Sequence, residues 1–123
     1  MEKELIAILS TLKYPVIRQG SLAPKAPYPA TFFTFWNDDE REHSAYDNNT
    51  ALIDYNYDVN CYATDPDVVY NTLAAARELL KAAGWIIRVF GYDAASDEDT
   101  HTGRGMEVSY IARNTITEVN QNG

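Results

Sequence analysis

"ALIDYNYDVNCYA", residues 51–63, is the stretch that decides the fold. Apolar and polar side chains alternate here without a break: Ile53, Tyr55, Tyr57, Val59 and Cys61 alternate with Asp54, Asn56, Asp58 and Asn60. Successive side chains of a β-strand point to opposite faces, so this period of two predicts a strand with one buried face and one wet face. A slip of one residue would move two carboxylates into the core, which specifies the register.

The residues before this strand predict a helix and two further strands. The first twelve residues carry apolar side chains at helical spacing, on Leu5, Ile8, Leu9 and Leu12. We expect this helix to end before Tyr14, because a residue that precedes proline is pushed out of the helical region. "VIRQG" at residues 16–20 and "TFFTFW" at residues 31–36 read as strands.

Two polar or proline-rich stretches separate these elements and predict irregular structure. "SLAPKAPYPA", residues 21–30, contains three prolines and predicts an extended arm, because proline cannot donate to a strand ladder. "NDDEREHSAYDNN", residues 37–49, is polar throughout and predicts a loop.

The best helix signal follows the central strand, in "DPDVVYNTLAAARELLKAAGW". Asp65 predicts an N-cap, Pro66 suits the first helical position and Gly84 predicts a left-handed end. The apolar stripe consists of Val69, Leu73, Ala76, Leu80 and Ala83, widened by Leu79. "WIIRVFGY" and "MEVSYIAR" then predict two more strands.

The order α-β-β-β-α-β-β predicts an α+β fold: a largely antiparallel sheet of about five strands with two helices packed on one face. We expect one domain over residues 1–113, which fits a chain of 123 residues, and a frayed tail over residues 114–123. Trp36, Trp85 and the single cysteine, Cys61, are expected in the core.

Composition limits the function classes. The formal net charge of −8 disfavours a protein that binds nucleic acid through its phosphates, so no sequence-specific nucleic-acid partner is expected. One cysteine allows no intrachain disulfide and no thiolate metal cluster. The amino-terminal stretch lacks the basic region and cleavage site of a signal peptide, and no apolar run is long enough to span a bilayer. We therefore expect a reducing cytoplasm and no membrane partner.

"GYDAASDEDTHTGRG", residues 91–105, is the most conspicuous polar stretch. An EF-hand loop that began at Asp97 would need glycine at its sixth position and glutamate at its twelfth, where Thr102 and Val108 stand. No nucleophile with a marked base, and no glycine-rich phosphate loop, is present. We expect a ten-residue strand connection, in which Gly103 and Gly105 supply unusual backbone angles around Arg104.

The sequence therefore predicts no catalytic residue, no cofactor and no metal. The alternative is a small metal-binding or enzymatic module in which the acidic loops around His43 and His101 converge. Long charged loops frequently contact partners. The candidate interface for subunits or other partners consists of Asp38, Asp39, Glu40, Asp97, Glu98, Asp99, His101 and Arg104.

Several strings resemble a family of short proteins from the tail-gene block of phages and prophages of Gram-positive bacteria. They are "RQGSLAP", "PYPATFFTFWN", "YDN" at residues 46–48, "TDP" at residues 64–66 and the 91–105 stretch. By size and element order the chain is also similar to phage tail-terminator and head–tail joining proteins, which form rings, commonly hexameric.

That resemblance implies a phage structural or assembly protein that is not an enzyme. The implied partners are further copies of the chain in a ring and the phage tail-tube or head-connector proteins. The implied location is the virion, and the host bacterial cytoplasm during assembly.

Overall fold

The computed structural model describes residues 1–19, 27–47 and 50–115, and for residues 43–47, 50–51 and 114–115 it describes the backbone alone. The elements are α1 (Glu2–Ser10), β1 (Val16–Arg18), β2 (Thr31–Asp47), β3 (Thr50–Ala63), α2 (Pro66–Ala82), β4 (Ile86–Ala94) and β5 (Thr102–Thr115). They form one five-stranded sheet in the order β1-β2-β3-β5-β4. All pairs are antiparallel except β1 with β2, so the predicted α+β class and element order are confirmed.

Both helices pack on one face of this sheet. Leu5 and Leu9 of α1 and Leu73 of α2 are buried in the same cluster as the sheet residues Phe33 and Val59. Burial of a large apolar side chain contributes about 1.5–3 kcal/mol, so this cluster is the main source of stability. Trp85 lies in it as predicted.

The caps of α2 are those expected from its sequence. The Asp65 carboxylate accepts a hydrogen bond of 2.9 Å from the backbone N–H of Asp67, and Pro66 occupies the first helical position. After the helix Gly84 adopts φ +92°, the left-handed conformation that glycine accepts most easily. Because Trp85 follows directly, this turn places the indole ring in the core.

Residues 37–47 of the polar stretch are not a loop, which corrects the prediction; residues 48–49 lie outside the described residues. Residues 37–47 continue β2 and pair with β3, from Asp39 opposite Asn56 to Asp47 opposite Thr50. β1 covers β2 only opposite residues 33–35, and β4 reaches no further along β5 than Ser109. The far ends of β2, β3 and β5 therefore extend past the outer strands, and polar side chains are tolerated in β2 there because Glu40, Arg41 and Glu42 are exposed.

The central strand is confirmed, but its polar face is not wet. Asn60 is 1% exposed, and Asp54 and Asp58 are also buried. Side chains of β4 reach across β5 to this face, where Arg88 contacts Asp54 and Tyr92 contacts Asp58. Alternation correctly predicted which side chains share a face, but it could not show that the second face is covered. Trp36 lies on that face and is 38% exposed, so its prediction as a core residue was wrong.

The glycines of the 91–105 stretch have a different role from the one predicted. Strands β4 and β5 run into the stretch from both ends, so the connection is residues 95–101 and Arg104 lies within β5. Neither Gly103 nor Gly105 has a positive φ. A Cβ on Gly103 would lie 2.8 Å from the Ala94 carbonyl oxygen, and one on Gly105 would lie 2.7 Å from the Tyr92 ring. Both positions require close approach, not special backbone angles.

Gly105→Ala should lower the free energy of unfolding by about 2 kcal/mol or more, because the new methyl group overlaps the Asn60 amide and the Tyr92 ring. Gly91→Ala is the matched control in the adjacent strand. Its methyl group would meet the flexible end of Arg104 at 2.8 Å, which can move, so the loss should stay under about 1 kcal/mol. Urea denaturation measures both, and equal losses would contradict the close-approach explanation.

Candidate functional site

The sheet face opposite the helices is organised around Arg88 of β4. Its guanidinium donates to the Asp54 carboxylate at 3.0 Å, to the Ser109 hydroxyl at 2.8 Å and to the Asn56 side-chain oxygen at 3.1 Å. These partners come from β3 and β5, so one side chain ties three strands together. A buried carboxylate is costly unless it is paired and hydrogen-bonded, and Arg88 supplies both.

Three carboxylates converge beside this network. Asp38 of β2, Asp58 of β3 and Glu107 of β5 each place an oxygen within 4.8 Å of the other two. Asp58 and Glu107 are directly opposite each other in the β3–β5 register. Asp38 stands at the register shift between residues 37 and 39, where an extra residue in β2 re-aims its side chain. We call these three residues the acidic trio.

Two side chains, one with a hydroxyl donor and one with an indole donor, hold the trio in place. The Tyr92 hydroxyl donates to Asp58 at 2.6 Å, and the Trp36 indole nitrogen donates to Asp38 at 2.7 Å. Desolvation, followed by the hydrogen bond and negative charge of Asp58, raises the pKa of Asp38 from 3.8 to about 6. Burial and the same Asp58 carboxylate also raise the pKa of the Tyr92 hydroxyl, which keeps it protonated and able to donate.

Among the described residues the acidic trio is the group that could hold a cation. An all-oxygen set suits Mg²⁺ or Ca²⁺ and not zinc, which prefers nitrogen and sulfur. Acidic clusters also occur without ions, and no further ligand is seen to point into this one. No metal is therefore assigned to the trio.

The predicted interface residues of the first acidic stretch lie on strand β2 and not on a loop. Asp38 belongs to the trio. Asp39 accepts hydrogen bonds from Arg41 at 3.1 Å and from the Asn56 amide at 2.6 Å. Glu40 accepts one from the Asn37 amide at 3.0 Å and is exposed.

The second acidic stretch lies at the other end of the sheet. Asp97, Glu98 and Asp99 are exposed in the connection between β4 and β5, where the Ser96 hydroxyl closes a turn with the backbone of Glu98. The structure does not bring these carboxylates together with the first stretch. They therefore form two separate acidic surfaces on the chain.

His101 is engaged on both sides of its ring. Nε2 lies 2.8 Å from the Pro29 carbonyl oxygen, and Nδ1 lies 2.9 Å from the Thr100 hydroxyl. The ring also packs edge-on against Phe32 and Tyr28. The side chain of His43, the other predicted histidine, lies outside the described side chains, and its backbone pairs with Leu52.

Arg104 lies on the helix side of the sheet. It pairs with Asp93 at 2.8 Å, and its guanidinium carbon stands 5.0 Å from the centre of the Tyr70 ring on α2. The partner of Arg104 thus lies within the 91–105 stretch and is a residue of strand β4.

Sequence reasoning missed Glu107, Phe90 and Arg77. Pairing the predicted strands would have brought Glu107 opposite Asp58, so a signal existed for that member of the trio. The residue pattern of β4 gave no sign that Phe90 would be exposed, because the strand is apolar. Arg77 lies on the apolar side of α2. It was missed because a cation interrupts the stripe of apolar residues that marks this side.

Comparison with known proteins adds little at the level of function. No protein-family model matches the sequence, and no curated protein matches it. Among solved structures, a chain of the virion of a native gene transfer agent particle superposes with a TM-score of 0.46 at 16% identity. The match covers 90% of this chain and 84% of that chain.

Asp38→Asn should raise the free energy of unfolding at pH 7 by up to about 1 kcal/mol, a figure reduced for the exposure of this side chain. The folded pKa of about 6 exceeds the ordinary 3.8, so the wild type binds its proton more tightly when folded. The contribution of Asp38 to the wild-type free energy of unfolding is complete below pH 4 and is lost as the pH rises through 6. The advantage of the variant should therefore appear between pH 4 and 6, and be absent at pH 4.

Glu78→Gln removes the same charge from an exposed position on α2 and serves as the control. Denaturation curves from pH 4 to pH 8 compare the three proteins. An advantage of Asp38→Asn that does not depend on pH would contradict the repulsion within the trio.

Proposed function

We propose that this protein is a phage virion-assembly protein, a ring-forming subunit of the tail terminator or of the head–tail joining region. The observation that carries the proposal is that the sheet has unpaired strand edges on both sides. β4 has no described strand on its outer side, and β2 has none beyond the residues opposite β1. An unpaired edge presents free N–H and C=O groups to another chain.

Two different edges suit the kind of contact that builds rings. A contact between unlike surfaces repeats head to tail, and it closes into a ring when the rotation between neighbours divides a full turn. The strings that resemble the phage tail-gene-block family support the same function. A net charge of −8 would let DNA pass through such a ring without adhering.

The proposal includes no catalytic residue and no cofactor. The competing metal-binding module around His43 and His101 is not favoured, because both ring nitrogens of His101 already have partners within the chain. We place the protein in the virion, and in the host bacterial cytoplasm during assembly. Among the described residues, neither helix is long and apolar enough to cross a membrane.

Purified protein should assemble into rings, with six subunits as the first expectation. Light scattering coupled to gel filtration gives the number of subunits, and negative-stain electron microscopy shows whether they close. A protein that stays monomeric up to high concentration, and that binds neither tail-tube nor connector proteins, would overturn the proposal.

The acidic connection between β4 and β5 is proposed as one of the contact surfaces. Replacing Asp97, Glu98 and Asp99 by their amides should weaken assembly about tenfold or more and leave the fold intact, because these side chains are exposed. The apparent dissociation constant from dilution series measures the effect. Unchanged assembly would make this segment a surface connection only.

A further inference from the structure

The outer strand β4 carries an aromatic and cationic surface beside α2. Phe90 is 65% exposed and Tyr70 is 62% exposed, which is unusual for rings of this size in a soluble subunit. Arg77 and Arg104 lie against these rings. We call Tyr70, Arg77, Phe90 and Arg104 the β4 patch. Aromatic and arginine side chains are the residues that most often dominate binding energy at interfaces.

The exposed position of Phe90 is built into the strand. The register of β4 against β5 shifts between Val89 and Tyr92, so Phe90 has no direct partner in β5. Its carbonyl oxygen instead accepts a hydrogen bond of 3.1 Å from Arg77, which is 7% exposed. The guanidinium carbon of Arg77 also lies 3.6 Å from the centre of the Phe90 ring. A buried cation thus holds an exposed ring in place.

Positive charge is concentrated at this patch. A Cβ on Gly91 would lie 2.8 Å from one guanidinium nitrogen of Arg104 and 3.6 Å from one of Arg77, so the two cations approach over this glycine. The partner of Arg104, Asp93, has a side chain that is 92% exposed and holds its place weakly. A carboxylate from another chain could replace it at little cost.

The opposite edge of the same sheet is acidic. Beyond the residues opposite β1, no described strand pairs with the outer side of β2, and Glu40 and Glu42 are exposed there. Glu40 pairs with Tyr55, which packs on the helix side, and Glu42 pairs with Ile53 two residues earlier. Both glutamates therefore lie on the same side of the sheet as Arg104, which is opposite Cys61 of the core.

We propose that the β4 patch of one subunit binds the open β2 edge of a second copy, with Glu40 and Glu42 of that copy facing Arg104 and Phe90. The strand directions fit. The order β2-β3-β5-β4 alternates in direction, so a second copy placed beyond β4 in the same orientation presents its β2 antiparallel to β4. Arg104 is opposite Cys61 and Glu40 is opposite Tyr55, so the second copy must also be displaced along the strands by about six residues for its Glu40 to reach Arg104. Opposite charges then meet across the contact, on one side of a continuing sheet. This inference rests on the proposed ring-forming function and names the two surfaces that meet.

Two single-surface variants test this contact. Phe90→Asp disables the patch, and Glu40→Lys with Glu42→Lys disables the acidic edge. All three side chains are exposed, so each variant should fold, which circular dichroism checks. Each variant alone should be monomeric, because every subunit lacks one half of the contact. Ile111→Asp is the control, since Ile111 is 42% exposed on the other side of the sheet and should leave assembly unchanged.

Mixing the two variants in equal amounts distinguishes this contact from other interfaces. Phe90→Asp keeps an intact acidic edge, and the glutamate variant keeps an intact β4 patch. One chain of each can therefore form a pair, and light scattering should show such pairs and nothing larger. Phe90→Asp that assembles like the wild type overturns this inference and leaves the ring function standing, as does a mixture that stays monomeric. A wild-type protein that is itself monomeric overturns the ring function.

Discussion

The pairing of β3 with β2 on one side and β5 on the other is the constraint on which the remaining structure depends. β3 is hydrogen-bonded along nearly its whole length to both neighbours, so its register cannot change without breaking two ladders. That register sends Val59 toward the helices and Asp58 to the opposite face. The position of the core and that of the polar network are therefore set by the same set of backbone hydrogen bonds.

The polar face shows how a sheet of this size accommodates buried carboxylates. Asp54 accepts a hydrogen bond from Arg88, and Asp58 accepts one from the Tyr92 hydroxyl. In each case the hydrogen bond offsets the cost of desolvating the carboxylate. Asp38 also accepts a hydrogen bond, from Trp36, but it approaches the Asp58 carboxylate at the point where β2 loses its outer partner. The repulsion between Asp38 and Asp58 therefore lies at the edge of the sheet, where a change of protonation or a new neighbour can relieve it most easily.

Local patterns predicted the elements well and their surroundings less well. The alternation of residues 53–61 and the caps at Asp65 and Gly84 depend on neighbours in sequence, and the structure confirms them. Residues 37–47 form a strand because β3 offers a partner, which no local pattern shows. The burial of Asn60 and the exposure of Phe90 likewise depend on side chains from distant strands. Gly105 was recognised as special, but the reason, the proximity of Tyr92, required the fold.

The same dependence explains the partial success at the candidate site. Asp38 and Arg104 were chosen because they stand in charged stretches. Asp38 meets Asp58 from another strand, whereas Arg104 meets Asp93 of its own stretch, which lies opposite it in β4. A charged stretch read along the chain indicates where polar groups are, whereas cross-strand register decides which of them meet. Glu107 stands singly between apolar residues and acquires a role only through that register.

Cys61 is a built-in probe of how often the core opens. The thiol is the only one in the chain, it is fully buried at the centre of β3, and burial raises its pKa to about 12. A thiol-directed reagent can therefore reach it only when the central strand separates from the helices. The rate at which the native protein is labelled would report the lifetime of the closed core itself, separately from fraying at the outer strands.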